Sequence, residues 1–259
     1  MYSIYIYDPE IEWFDIKPVR DYLKDRFPDF SIHLRECFFN YFKAGEEIAR
    51  VLAKSRVRHP MKKLDFEPLY GEIEYEKRSL KKEVSGTGIL YDGHSFLSIL
   101  RNMIPQDEKT VDNIHLVFTK RLVATLNDRY HARVVLLSIP SVISVTGIIE
   151  APAKPREFYI AKQKLATFGV PPEVLKEKFA GRFVDYGDER IPEIAKGYAM
   201  QAIVYHITGE AFCRDKNCRL FNAHWQEEMI HAQLSKPEFC EKHEKLIKEI
   251  AEGKVDIWK

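Results

Sequence analysis

Three of the four cysteines in this 259-residue chain stand close together, Cys213, Cys218 and Cys240, and His243 follows the last of them. The pattern is C-x4-C-x21-C-x2-H. Thiolate sulfur and imidazole nitrogen are the donors that hold a tetrahedral zinc ion. Residues three apart share one face of a helix, so Cys240 and His243 can supply two donors while the Cys213 to Cys218 loop supplies the other two. Ser235 and Glu238 have the spacing of a capping box, which predicts that the last helix begins there and carries Cys240 and His243 in its first turns. Four protein ligands leave no open coordination position, so the ion is expected to be structural, one Zn2+ per chain, pinning segment 211–259 onto the body. Cys37 is remote from the cluster and reads as a small core residue.

A second chemical element precedes the cluster. In the stretch 190–209, RIPEIAKGYAMQAIVYHITG, Ile191, Ile194, Ala195, Tyr198 and Ala202 recur at helical spacing and Gly209 is a natural stop. His206 continues that stripe and is expected to face the interior or a cleft. It could join His224 or His231, or the carboxylates of Glu210, Glu227 and Glu228, in a relocated hydrolytic centre. The bland alternative is a hydrogen-bonded core histidine beside an amphipathic, solvated tail.

The elements that must position these groups alternate along the chain. Strands are predicted at 3–7, 30–37, 114–123 and 132–139, with a further one in VISVTGII after Pro140, and the two β-branched runs at 114–123 and 132–139 read as central strands. Helices are predicted at 19–27, 46–54, 94–104, 156–166, 172–180 and 190–209. The charged, Gly-punctuated stretch 66–88 reads as an exposed hairpin or loop, and 54–63, with Lys54, Arg56, Arg58, Lys62 and Lys63, as a solvated basic loop. No repeat and no Ser/Gly linker divides the chain. The expectation is one α/β domain over 1–259, helices packed on a mixed sheet, with an α/β core at 1–210 and a zinc-stapled segment at 211–259.

Composition removes several classes of function. Forty basic against 39 acidic residues give a formal charge of +1, which provides no field for polyanions, and no aromatic residues interleave with the basic run, so a nucleic-acid-binding zinc protein is the weakest alternative. The first residues, MYSIYIYDPEIEWFD, lack the plan of a signal peptide, and no apolar run approaches the roughly 18 residues that span a bilayer. A soluble, cytoplasmic protein without disulfides is expected. Phosphate-loop, dinucleotide and Gly-x-Ser-x-Gly motifs are absent from the sequence.

The residues AIVYHITGEAFCRDKNCRL followed by CEKH resemble the archaemetzincins, a branch of the metzincin zinc peptidases, whose pattern is HExxHxxGxxxCxxxxCxM and then CxxC. His206, Gly209, Cys213, Cys218 and Cys240 stand in matching places, while Leu220 replaces the methionine and His243 the last cysteine. The resemblance implies a metzincin-like α/β fold and a zinc-dependent peptidase ancestry. The departures fall on the chemistry: Ala202 stands where the first zinc-binding histidine is expected, Ile203 where the catalytic glutamate is, and Phe212 where the third histidine is. A metal-bound water needs its ligands and a carboxylate to take its proton, and Ile203 provides neither. The resemblance therefore implies a pseudoenzyme that keeps the structural zinc and uses the former cleft for a peptide or protein partner.

Overall fold

Alternation of side chains along the strands sets the layers. In β1 (Ser3–Tyr7), Ile4 and Ile6 enter one core while Tyr5 and Tyr7 enter another. In β4 (Asn113–Thr119), Ile114, Leu116 and Phe118 join the first core and Val117 the second. Both faces of this sheet are thus covered, as expected for parallel strands linked by helical crossovers. The computed structural model describes residues 2–82, 88–167 and 172–255.

The main sheet has five strands in the order β2-β1-β4-β8-β7, with β2 (Ser31–Arg35), β7 (Val135–Leu136) and β8 (Ser141–Ser144). The pairs β1–β2, β1–β4 and β4–β8 are parallel, and β7 lies antiparallel to β8 at one edge. Ile6 sits opposite Leu34 on one side and Leu116 on the other. A second, three-stranded sheet orders β3 (Leu90–Asp92), β5 (Leu122–Leu126) and β6 (Tyr130–Arg133) as β3-β5-β6. The architecture is therefore mixed α/β, with two mixed sheets and helices packed on them.

Helix α1 (Lys17–Arg26) follows β1 and covers the first face with Val19 and Leu23. After β2 come α2 (Phe38–Tyr41), α3 (Glu46–Lys54), α4 (Tyr70–Leu80) and α5 (Gly93–Met103), of which α3 and α5 bury Leu52, Phe96 and Leu100 in the second core. Helix α6 (Val145–Glu150) follows β8, and α7 (Arg156–Thr167) and α8 (Pro172–Lys178) form a satellite cluster around Phe158, Leu175, Phe179 and Phe183. Helix α9 (Ile191–Thr208) is buried almost all round, which fits its lack of a polar stripe. Helices α10 (Gln226–Leu234) and α11 (Glu241–Ala251) complete the chain.

The structure corrects several sequence expectations. The run 114–123 is not one strand: it breaks at Lys120 and Arg121 and continues as β5 in the other sheet. The break is held from β8 and α6, where the Ser144 hydroxyl donates to the Arg121 carbonyl at 2.8 Å and the Thr146 hydroxyl to the Lys120 carbonyl at 2.6 Å. The run 132–139 likewise changes sheet between β6 and β7, and both pieces are edge strands, whereas both pieces of 114–123, β4 and β5, are interior strands of their sheets. The strand expected in VISVTGII stops at Ser144, whose hydroxyl accepts from the Gly147 N–H and caps α6.

The stretch read as an exposed hairpin or loop at 66–88 contains α4, started by the Glu72 carboxylate accepting from the Leu69 N–H, and its residues 83–87 lie outside the described set. The basic run 54–63 is a loop, but an ion-paired one: Lys54 meets Asp65, Arg56 meets Glu76, Arg58 meets Glu72 and Lys63 meets Asp92. Among the described residues no helix is long and apolar enough to cross a membrane.

Candidate metal centre and the adjoining cleft

Gly209, at φ +79°, ends α9 in the left-handed conformation that a side chain disfavours, and its N–H closes on the Tyr205 carbonyl at 2.8 Å. The chain then turns back through Cys213, whose N–H donates to the Leu220 carbonyl, and Cys218, whose N–H donates to the Asp215 carbonyl. Helix α11 does not start at the Ser235–Glu238 box. Ser235 instead closes α10, and Cys240 is the N-cap residue of α11, with His243 in its first turn. Glu238 cannot serve as a cap because its carboxylate accepts from the Tyr22 hydroxyl at 2.8 Å and from Arg26 at 2.6 Å.

The structure brings Cys213, Cys218, Cys240 and His243 together, their ligand atoms all within 4.8 Å of one another. Cys213 Sγ to Cys240 Sγ is 3.8 Å, Cys218 Sγ to His243 Nδ1 is 3.7 Å, and Cys240 Sγ to His243 Nδ1 is 3.1 Å. Zinc–sulfur bonds of about 2.3 Å put two sulfurs of a tetrahedron about 3.8 Å apart, so the donor set fits zinc in spacing as well as in type. Burial pushes the Cys218 thiol up to about 12, against the backbone N–H groups of Cys240 and Leu220 that point at its sulfur. Burial also raises the Cys213 thiol, opposed by the N–H of Asp215, and burial together with Lys242 lowers His243. Inward-pointing N–H groups and a neutral imidazole suit a site in which thiolates meet a cation.

The cluster is tied to the body through Arg219. Its backbone N–H donates to the Glu238 carbonyl, and its carbonyl accepts from Gln201 at 3.2 Å and from Gln233 at 3.0 Å. Its buried guanidinium pairs with Glu193 on α9 and lies 3.6 Å from Glu238. Leu220, next along, is fully buried in the first core.

The other candidate residues are arranged differently. His206 is 2% exposed, and its Nε2 donates to the Val111 carbonyl at 2.8 Å. Ala202 and Ile203 are both 0% exposed and belong to the hydrophobic core, while Phe212 is an exposed residue. His231 Nε2 is 2.9 Å from Asn217, Glu227 is paired with Arg182, and Glu228 lies near Lys216 and the His224 N–H. Among the described residues, the cysteine and histidine cluster is the one group of three or more metal-capable side chains within reach of each other, and Glu210, His224, His231, Glu227 and Glu228 do not join His206 in one. Cys37 is half-buried, packed against the second core.

A cleft of about 380 Å³ lies between β6, the edge strand β7, and α9. Tyr198 and Gln201 line it from the helix, Arg133 and Val135 from the strands, and Phe212 and His224 from the segment around the cysteine loop. The Gln201 Oε1 atom is buried without a hydrogen-bond donor among the described residues. Sequence reading missed Gln201 and Arg219, although a glutamine in an otherwise apolar buried helix is itself a signal, since buried polar groups need partners.

No curated protein matches this chain. Two solved structures are similar, each at 13% sequence identity: a zinc-dependent peptidase from Methanocorpusculum labreanum (strain Z), TM-score 0.48, covering 95% of this chain and 99% of that one, and an archaemetzincin from Methanopyrus kandleri, TM-score 0.46, covering 96% and 94%. A family model described as "Probable metallopeptidase family (DUF6775)" matches residues 1–250, almost the whole sequence. With the strand order, the buried helix and the cysteine cluster in place, that match shows that the chain belongs to this metallopeptidase family.

Proposed function

We propose that this protein is a non-hydrolytic member of its family, in which one zinc ion held by Cys213, Cys218, Cys240 and His243 staples the fold and the cleft beside β7 receives a peptide segment of a partner. The observation that carries this reading is the state of the helix face where the resemblance puts catalysis. Ala202 and Ile203 are core residues, and the His206 Nε2 is already committed to a backbone carbonyl. Only Nδ1 of His206 keeps a lone pair, and with Ala202 and Ile203 offering no donor a single nitrogen cannot hold an ion. The residues at this position therefore do not fit a catalytic zinc, and no hydrolytic step is derived through one. Zinc at the cysteine cluster, when bound, would offset two of the three thiolate charges and cross-link the segment after α9 to α11.

The partner reading rests on the cleft itself. Strand β7 is an edge strand, whose outer backbone groups are open to pairing by an added strand. Gln201 offers a buried acceptor in the same wall.

Elemental analysis of the purified protein, with a generic peptidase assay on the same sample, tests the proposal. One zinc per chain, no hydrolysis, and unchanged metal content in His206→Ala are expected. Two zinc ions per chain, one of them lost with a peptidase activity in His206→Ala, would overturn it.

A further inference from the structure

The parallel strands of the main sheet point their carboxyl ends at one crevice, which shares no lining residue with the edge-strand cleft. Reading across, it is bordered by the turn after β1 (Pro9 to Trp13), by Cys37 to Asn40 after β2, by Thr119 to Leu122 after β4, and by Thr146 after β8. In a parallel sheet of order β2-β1-β4, connections leave β1 and β4 in opposite directions, and the space above their carboxyl ends stays open. Here that space is a cavity of about 590 Å³, within the range of small-molecule sites. No motif of the sequence foretells it, since its walls come from six separated segments.

The chemistry of the walls is specific. Behind the wall, the fully buried Glu76 is shared by Arg56 at 2.5 Å and Arg121 at 3.3 Å, two guanidinium groups on one carboxylate; of these Arg121 lines the cavity, together with Lys120 and Lys82 and the carboxylates of Glu10 and Glu12. Arg121 is 7% exposed, and its Nε has no acceptor among the described residues. Beside it Lys120 is half-buried, with no ion-pair partner among the described residues. Burial of its ammonium and the neighbouring Arg121 lower the Lys120 pKa, opposed by Cys37, Glu10 and Glu76. The nearby Lys82 is matched by Glu10 at 2.6 Å and adds no net charge. The turn that carries Lys120 and Arg121 is rigid, because the Thr146 and Ser144 hydroxyls hold its two carbonyls and the Arg121 N–H donates to Thr119 Oγ1. Phe39 and Tyr91 lie against the Arg121 guanidinium, their ring centres 5.0 and 5.7 Å from its central carbon, and Trp13, Tyr75 and Tyr186 line the rest of the cavity.

We infer that this crevice binds a small organic anion bearing an aromatic ring, with its phosphate or carboxylate group on Lys120 in front of Arg121 and its ring against the aromatic wall. A pre-formed turn and a desolvated cation lower the cost of ordering and strengthen the attraction, which are the conditions under which a single charged contact decides affinity. The half-buried thiol of Cys37 lines the same cavity and reports on its occupancy. This site is independent of the peptide cleft and of the cysteine cluster.

The test is isothermal titration calorimetry of the zinc-loaded full chain with phenyl phosphate and with benzoate, against inorganic phosphate and benzyl alcohol. At least one aryl anion is expected to bind saturably at one per chain, about tenfold or more tighter than either control, and the stronger of the two tells phosphate from carboxylate. Lys120→Met is expected to weaken it about tenfold while the circular dichroism spectrum stays unchanged. In the wild-type chain the bound probe is expected to slow alkylation of Cys37, mapped by peptide mass spectrometry apart from the cluster cysteines. That readout decides the matter alone if Lys120→Met fails to fold. Absence of saturable binding by both aryl anions, equal binding of inorganic phosphate, or an alkylation rate at Cys37 that the probe leaves unchanged would each overturn the inference.

Discussion

The imidazole of His206 and the carbonyl of Val111 form a 2.8 Å hydrogen bond that joins the last turn of α9 to the segment leading into β4. Four residues on, His115 makes a matching contact, its Nε2 donating to the Glu108 carbonyl at 3.1 Å while its Nδ1 accepts from the Tyr7 hydroxyl at 3.0 Å. Arg35 donates to both Tyr7 and Glu108. The two histidines therefore stitch the stretch 108–111 to the sheet and to the long helix. Such a role needs neutral imidazoles with a fixed tautomer.

His206→Ala removes a buried hydrogen bond and leaves a small cavity, with an expected loss of about 3 kcal/mol in urea denaturation. Zinc content should stay at one ion per chain. The pairing of a large stability loss with an unchanged metal count separates a stitching residue from a ligand.

Burial lowers the pKa of His206, against the opposing Val111 carbonyl and Asp112. Burial likewise lowers His115, with Glu108 raising it and Arg35 and His206 lowering it further. With folded values below the unfolded 6.5, the unfolded chain binds more protons on acidification, so stability is full above about pH 6.5 and falls as pH drops below it. Denaturation midpoints measured between pH 8 and pH 5 should show this decline in the wild type. A His115→Gln/His206→Gln variant should show a shallower one over the same interval.

Restoring the motif residues should not restore chemistry. Ala202→His with Ile203→Glu places an imidazole and a carboxylate at positions with 0% exposure in the first core. A penalty of about 3 to 5 kcal/mol is expected, from overpacking and from burying an unpaired carboxyl. Peptidase assays on whatever folds should stay silent. A folded, active double variant would show that this helix face opens to a cleft.

Arg219→Met should weaken the metal centre without touching a ligand. It removes one of two partners from Glu193, which is 36% exposed and stays paired with Lys196, so screening by solvent limits the expected loss to about 1 kcal/mol. Competition with a chromophoric chelator should extract zinc faster from the variant, and hydrogen exchange should rise first in α11. Unchanged extraction kinetics would mean that the cysteine loop is held by its own hydrogen bonds alone.

The cysteine cluster was legible because zinc sites announce themselves by residue type and spacing, and α9 because eighteen residues of helical period end in a glycine. The sheet was legible only in part. The runs 114–123 and 132–139 are rich in apolar residues, yet each changes sheet midway: the first break is held by the Ser144 and Thr146 hydroxyls and the second by the Ser144 N–H on the Val134 carbonyl, contacts that no hydropathy pattern reports. Helix α4 was hidden by its charges: YGEIEYEKRSL looks like surface, but Glu76 within it is fully buried among Arg56, Arg121 and Tyr91. Hydrophobic pattern cannot report a buried ionic network, because every member of it is written as a polar letter. The mistaken capping box has the same origin, as Glu238 had remote claimants in Tyr22 and Arg26.

Gln201 spans two places at once, lining the cleft while its amide grips the carbonyls of Arg219 and Phe221 beside Cys218. The ion and the groove thus share a hinge pin. On the function proposed above, removal of the cation is expected to loosen the Arg219–Phe221 segment that Gln201 holds, and with it one wall of the groove.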